Sequence, residues 1–199
     1  MADEATSNQQ RILDAARRLF LSNGYNGSNL RDIARAAKVS MGGIYHHFSS
    51  KEEIYRSLLQ ESDVTQDMLS VLRLLRADVF PQNLSEVGDA IATMVRRHRD
   101  TFKLFYIDVL EFEGQHVKPL IQRFWDGFND VAKLLLKNRD DLAPGLDPNV
   151  IMRVIVGVFV HTRLEEAMLE LPMTAHVPAD DKEITRQMAE LLLRGILRR

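Results

Sequence analysis

The stretch KVSMGGIYHHFSSKEEI, residues 38–54, gathers side chains that can recognise an anion or a base edge. Met41, Gly42 and Gly43 stand where a short helix would begin. Glycine there lets backbone approach a ligand closely, although inside a helix it costs about 1 kcal/mol relative to alanine. Tyr45, His46 and His47 follow with a phenol and two imidazoles, donors suited to phosphates or bases. Ser28 and Ser40 sit at expected helix starts, where a hydroxyl can reach a phosphate. Lys51 stands at the head of the next helix. Free N–H groups, the helix dipole and a cationic side chain converge there, and that combination attracts anions.

Bond-making chemistry finds weaker support. Glu113 and His116 match one Glu-x-x-His pair of a carboxylate di-metal bundle, but that architecture needs two such pairs. His161 and Glu165 are four apart and could share a metal, yet such a lone pair is as well explained by an ion pair. His46 and His47 are adjacent, so on a helix they point about 100° apart and do not chelate together. His98, Arg99 and Asp100 match part of a kinase catalytic loop without its glycine-rich loop or strand pattern. No G-x-S-x-G and no Walker A sequence occurs. The expectation is a protein that is not an enzyme and uses neither cofactor nor metal.

Composition narrows the field further. The chain has 199 residues, 45% hydrophobic and 27% charged, as in a globular protein with room for a core. Net charge is −2, but it is unevenly spread. Residues 1–51 hold seven Lys and Arg against four Asp and Glu, and the rest holds 19 against 24. A basic head on an acidic body is the footprint of a localised nucleic-acid site. There is no cysteine, which excludes disulfides and fits a cytoplasmic location. MADEATSNQQ lacks the charge and apolar run of a signal peptide. The longest apolar run, Val154 to Val160, is seven residues, so no membrane partner is expected.

The elements that would position these groups are helices throughout. Ile12, Leu13, Ala16, Leu19 and Phe20 form one face of a first helix that stops at Asn23-Gly24. Ser28 is the expected cap of a second, with Leu30, Ile33, Ala34 and Ala37 inward. Ser40 caps a third, from Met41 to His47. Ser50 and Glu53 have capping-box spacing, so a fourth helix starts near Lys51 and can run to about Asp78, before Pro81. Further helices are expected over Leu84–Arg97, Asp100–Glu113, Val117–Asn138, Pro148–Leu171 and Asp181–Leu197, with Asp147 and Pro148 as a start signal. The fold class is therefore all-α, with about nine helices: a three-helix head at 8–52 on a larger body at 53–199. A tight turn between the second and third helices reads as helix-turn-helix, whose second helix enters the major groove.

LRDIARAAKVSMGGIYHHFSSKEEI closely resembles the TetR family of bacterial transcriptional regulators. The resemblance is carried by Ile33-Ala34, Val39-Ser40, Gly42, Ile44-Tyr45, His47-Phe48 and Lys51-Glu52, within roughly residues 8–56. Lys38 occupies the turn position that is usually glycine in that family. The resemblance implies that Tyr45, His47, Lys51, Ser28 and Ser40 grip phosphates and that Met41 and Gly43 face bases. Ile44 and Phe48 would hold the reading helix to the head. Arg31, His46 and DNA shape are further candidates for specificity. It also implies a homodimer formed through the last two helices and bound to double-stranded operator DNA. The sequence itself offers apolar positions for such an interface: Val154 and Val158 on one helix, and Ile184, Met188, Leu191 and Leu192 on the last.

In that family the body takes a small-molecule effector that releases the DNA. Phe102, Phe105, Tyr106, Val109, Phe112, Phe124, Trp125, Phe128 and Phe159 are the expected pocket residues here. Ordinary core packing explains aromatic residues at helical spacing equally well. Asp108 interrupts the apolar run FKLFYIDVLEF. It is either an exposed helix-edge residue or a buried carboxylate facing a pocket or paired, with Arg123 or His116 as partner. RRHRD, residues 96–100, is either a set of solvated charges at a helix end or an anion site for an acyl-CoA-like effector. The expected function is a ligand-responsive transcriptional repressor of a bacterial cell. The alternative is a helical dimer that carries a ligand or binds a protein without DNA.

Overall fold

The computed structural model describes residues 2–60, 63–136, 139, 141–175, 177 and 179–197. Ten α-helices account for most of them: α1 Ala2–Asn23, α2 Leu30–Ala37, α3 Met41–His47, α4 Lys51–Gln60, α5 Val64–Leu74, α6 Leu84–Arg97, α7 Arg99–Glu111, α8 Lys118–Leu136, α9 Pro148–Leu169 and α10 Asp181–Ile196. A single 3-10 turn, Met173–Ala175, follows α9. No β-strand occurs among the described residues; one isolated bridge joins Leu142 and Leu197. No helix among them is long and apolar enough to cross a membrane.

Most helix starts and stops follow local chemistry. Asp147 accepts from the amides of Asn149 and Val150 with Pro148 in the first turn of α9, as its sequence requires. Asp180 caps α10 through the Glu183 amide. The expected single helix from Lys51 to about Asp78 is instead two, α4 and α5, and α5 stops at Leu74. Residues 61 and 62, between them, lie outside the described residues, as does Asn138, the expected end of the helix that contains Trp125. The Leu74 carbonyl is taken by Asn83 Nδ2 at 2.6 Å, a capping bond from beyond Pro81 that periodicity does not show.

The chain forms two compact units, Met1–Ser62 with Asp100–Leu120, and Asp63–Arg99 with Ile121–Arg199. Packing therefore groups α7 with the first four helices. In the first unit α1 packs on α2, α3 and α4. Its core is Ile12, Ala16, Phe20, Ile33, Ala37, Ile44, Phe48, Ile54 and Tyr55, all buried. Ile44 is the only buried side chain of α3 and Phe48 follows it, so these two anchor the short helix. Truncating such a residue to alanine costs about 2–5 kcal/mol.

In the second unit α6 packs on α5, α9 and α10. The approach is close because Gly88 has no side chain: a Cβ there would lie 2.6 Å from both Phe159 and Thr185. Arg163, fully buried on α9, donates to Glu166 at 2.7 Å and to Thr185 Oγ1 at 2.8 Å, so its charge is paired. Ala143 donates to the Ile196 carbonyl at 2.8 Å and fixes the connector before α9 to the end of α10.

Candidate nucleic-acid interface

The second helix is capped by Asn29, not Ser28. Asn29 Oδ1 accepts from the Asp32 amide at 2.9 Å, and its Nδ2 donates to the Asp32 carboxylate at 2.6 Å. Ser28 is buried and its hydroxyl donates to the Gly24 carbonyl at 2.8 Å. Its expected phosphate contact is thereby corrected, since a hydroxyl committed inside the first unit does not face DNA. Ser28 and Asn29 are both good caps by type, and Asp32 three residues after Asn29 was the distinguishing signal.

Between α2 and α3 the chain reverses at Lys38, with φ 58° and ψ 42°. The Lys38 amide donates to the Arg35 carbonyl at 3.2 Å and the Val39 amide to the Ala34 carbonyl at 3.0 Å. These two bonds close a helix through a left-handed residue, a position glycine takes without steric cost. The lysine accepts that backbone, and Arg11 Nη2 bonds its carbonyl at 3.2 Å. The tight turn brings Ser40 to the start of α3, where its Oγ accepts from the Gly43 amide at 3.0 Å.

Around α3 the candidate residues divide by exposure. Tyr45 is 57% exposed, and Arg31, Ser40, Gly42 and His46 are also exposed. Met41, Gly43 and His47 are half-buried, with the His46 and His47 rings edge to face at 4.9 Å. Neither glycine is demanded by packing. A Cβ on Gly42 would come no closer than 3.7 Å to Ser40 Oγ, and one on Gly43 no closer than 3.4 Å to Val39. Both are ordinary contacts. Two glycines in a seven-residue helix thus weaken it with no return inside the fold.

At the head of α4, Ser50 Oγ accepts from the Glu53 amide at 3.1 Å. The Glu53 carboxylate reaches back to the amide and hydroxyl of Ser49, both at 2.6 Å, one residue earlier than a strict capping box. Those bonds hold the Glu53 carboxyl below the usual carboxylate range. Lys51 is half-buried. Its Nζ donates to the carbonyls of Tyr25 and Ser28, both at 2.8 Å, and lies 3.9 Å from the centre of the Tyr25 ring. Burial lowers its pKa, and the Glu111 carboxylate opposes that shift. Two of the three donors of the ammonium are thereby committed to the turn after α1, which the sequence did not indicate.

The expected effector residues are divided between the two units. Phe102 and Phe105 are buried in the first unit, edge to face at 5.7 Å. Phe112 packs there on Tyr25, Tyr55 and His116 at 4.4, 5.2 and 4.7 Å. Tyr106 and Val109 are exposed. Asp108 is wholly buried and its carboxylate is met by donors, His116 Nδ1 at 2.6 Å and the amides of His116 and Val117 at 3.1 and 3.0 Å. Of the two readings of Asp108 this is the buried, paired one, with the expected partner His116 in place, as a carboxylate in a low-dielectric interior requires. In the second unit Phe124, Trp125 and Phe128 lie 5.5–5.6 Å apart, with the Arg153 guanidinium 4.2 Å from the Trp125 ring centre. Phe159 is a core ring against Gly88 rather than a free wall.

The basic run 96–99 is engaged by carboxylates: Arg96 with Asp181 at 3.2 Å, Arg97 and His98 with Asp67 at 3.1 and 2.8 Å, and Arg99 with Glu170 at 3.1 Å. Of the expected interface residues, Leu191 is 71% exposed and Val154 is exposed, while Val158, Met188 and Leu192 are half-buried. Ile184 is buried within its own chain, so it has no surface to offer a second copy. No group of three or more His, Asp or Glu suited to a metal occurs among the described residues.

Comparison with known proteins converges on the same segment. Residues 12–58 match the family model described as bacterial regulatory proteins, tetR family. The HTH-type transcriptional repressor AcnR of Corynebacterium glutamicum is 41% identical over 59 residues, 30% of this chain and 31% of that protein. The HTH-type transcriptional regulator AcrR of Shigella flexneri is 35% identical over 112 residues, 50% of this chain and 52% of that protein. The chain thus matches about a third to a half of the length of these two relatives. The ketosteroid transcriptional regulator KstR2 of Mycobacterium tuberculosis shares the fold, with a TM-score of 0.63 at 19% identity over 96% of this chain and 95% of that one.

Proposed function

We propose that the chain, whose residues 12–58 match the model of the tetR family of bacterial regulatory proteins, regulates transcription by binding operator DNA through α2, α3 and the start of α4. The observation that carries the reading is the pair of glycines at the front of α3, which the fold has room to replace and the helix is weaker for having. Close approach of backbone to a duplex gives them a purpose. In this reading residues 8–52 are the DNA-binding domain. Met41, Gly42, Gly43 and His46 face base edges, with Arg31 from α2. Tyr45, Ser40, His47 and the remaining donor of Lys51 take phosphates.

The reading extends to a homodimer that represses. Val154, Val158, Met188, Leu191 and Leu192 supply apolar surface on α9 and α10 for a second copy. An apolar or amphipathic effector bound in residues 53–199 would release the DNA, and the Trp125 cluster is the aromatic surface that favours such a ligand. The acyl-CoA-like version has less support, because its phosphates would compete with the carboxylates already on residues 96–99.

The test is selection of duplexes from a random pool by the full chain, followed by titration at rising salt. The expected result is a near-palindromic sequence whose affinity falls about 10³-fold or more between low and high salt. Tyr45→Phe should weaken binding, and Lys51→Ala should also reduce the salt slope by about one. Failure to enrich any sequence, or salt-independent binding, would leave the carrier alternative standing.

A further inference from the structure

Glu111, the last residue of α7, accepts hydrogen bonds from two consecutive backbone amides of the turn that follows α1: Tyr25 at 3.0 Å and Asn26 at 2.6 Å. The partners are 86 and 85 residues apart, so no local rule of chain geometry creates the contact. Gly24 fits around it. Its φ is +75°, and a Cβ there would lie 2.6 Å from Glu111 Oε1, so a side chain would collide with the carboxylate. From the other direction Lys51 takes the carbonyls of Tyr25 and Ser28, both at 2.8 Å. The amides of this turn are held by an anion and its carbonyls by a cation. The Tyr25 ring packs on Phe112, next to Glu111, with centroids 4.4 Å apart.

Satisfying the amides does not explain the arrangement. Asn26 is exposed, and water would serve its N–H as well as a protein group does. A carboxylate adds direction and a fixed position, through short charge-assisted bonds. The clamped turn runs straight into Asn29, the cap of α2, and α2 hands its orientation to α3 through the two-bond turn at Lys38. Few soft dihedrals separate the clamp from the front of α3.

We infer that Glu111 is a positioning residue for DNA binding: by fixing residues 24–28 it sets the angle at which α2 and α3 meet the duplex. This rests on the reading of α3 as the helix that enters the groove. Glu111 touches no DNA itself, so its loss should degrade fit without removing a phosphate contact.

The experiment uses the full chain and a duplex selected by the wild-type protein, with Glu111→Gln and Glu111→Ala measured well below the thermal midpoint of each variant. Affinity should fall in the order Glu, Gln, Ala, by about tenfold or more for alanine, while the salt slope stays unchanged. Discrimination against the same duplex with one base pair inserted at its centre of symmetry should narrow in both variants. Amide exchange should accelerate at Tyr25 and Asn26. A carboxylate that only stabilised the fold would leave the discrimination ratio where it was. Wild-type affinity and discrimination in Glu111→Gln and Glu111→Ala would overturn the inference alone. A wild-type protein that selects no duplex would overturn the DNA-binding reading and this inference with it.

Discussion

His116 Nδ1 stands 2.6 Å from Asp108 Oδ1, and the other oxygen of that carboxylate takes the amides of His116 and Val117. The far nitrogen of the imidazole, Nε2, is 3.2 Å from Glu52 on the first turn of α4. One buried carboxylate thus shapes the turn after α7 and aims a ring at the helix that follows α3. Asp108→Ala would leave two amides and an imidazole without their acceptor. It should lower unfolding free energy by about 3 kcal/mol or more in urea titration, and Asp108→Asn, which keeps an acceptor oxygen, by less. Equal stability of Asp108→Ala and wild type would refute the assignment.

Gly42→Ala and Gly43→Ala separate stability from binding. Each added methyl enters ordinary contact, so each variant should gain up to about 1 kcal/mol of helix stability. Operator affinity should fall, because the methyl stands between backbone and duplex. Thermal melts and binding titrations on the same samples check both signs. Tighter binding in either variant would remove the reason given for the glycines.

Lys38 holds a left-handed backbone at φ 58° and its side chain is exposed. Lys38→Gly keeps the two turn bonds and relieves the Cβ crowding, which for an L-residue costs about 1–2 kcal/mol. The thermal midpoint should rise by several degrees. A fall would mean that the lysine side chain holds the turn by a contact of its own.

Tyr55 is buried and its hydroxyl donates to the Leu104 carbonyl at 2.5 Å. Burial, and then the charges of Asp108 and Glu111, push its phenol above the ordinary value of 10.0. The folded state holds this proton more tightly than the unfolded chain does. The associated stability is therefore complete below that ordinary value and is lost as pH rises through and above it. Unfolding free energy measured from pH 8 to 11 should fall above about pH 10 in the wild type and fall less in Tyr55→Phe. At neutral pH the variant should be about 1 kcal/mol less stable, for the hydrogen bond it lacks. Parallel alkaline profiles would show that Tyr55 does not carry the effect.

Helix boundaries were largely legible in the residues. Met41–His47, Leu84–Arg97, the Pro148 start and the Asp181 start stand where capping side chains and apolar period put them. Lys38, at the turn position where the resemblance implies glycine, holds a left-handed backbone that the residue type alone did not announce. Where two neighbouring residues could do the same local job, type alone misled, and Asn29 took the capping role expected of Ser28. The break between α4 and α5 was hidden because the apolar period continues through it.

The sequence by itself determined which segments are helical and where the polar residues of α3 and its flanks lie, since caps, turns and amphipathic stripes are settled within about four residues along the chain. Only the tertiary structure decided what Lys51, Asp108 and Glu111 do. Their partners are 23 to 26, eight to nine, and 85 to 86 residues away. A charged side chain takes whichever dipoles helix packing brings within about 3 Å of it, and that neighbourhood is a property of the folded chain, not of any window of its sequence.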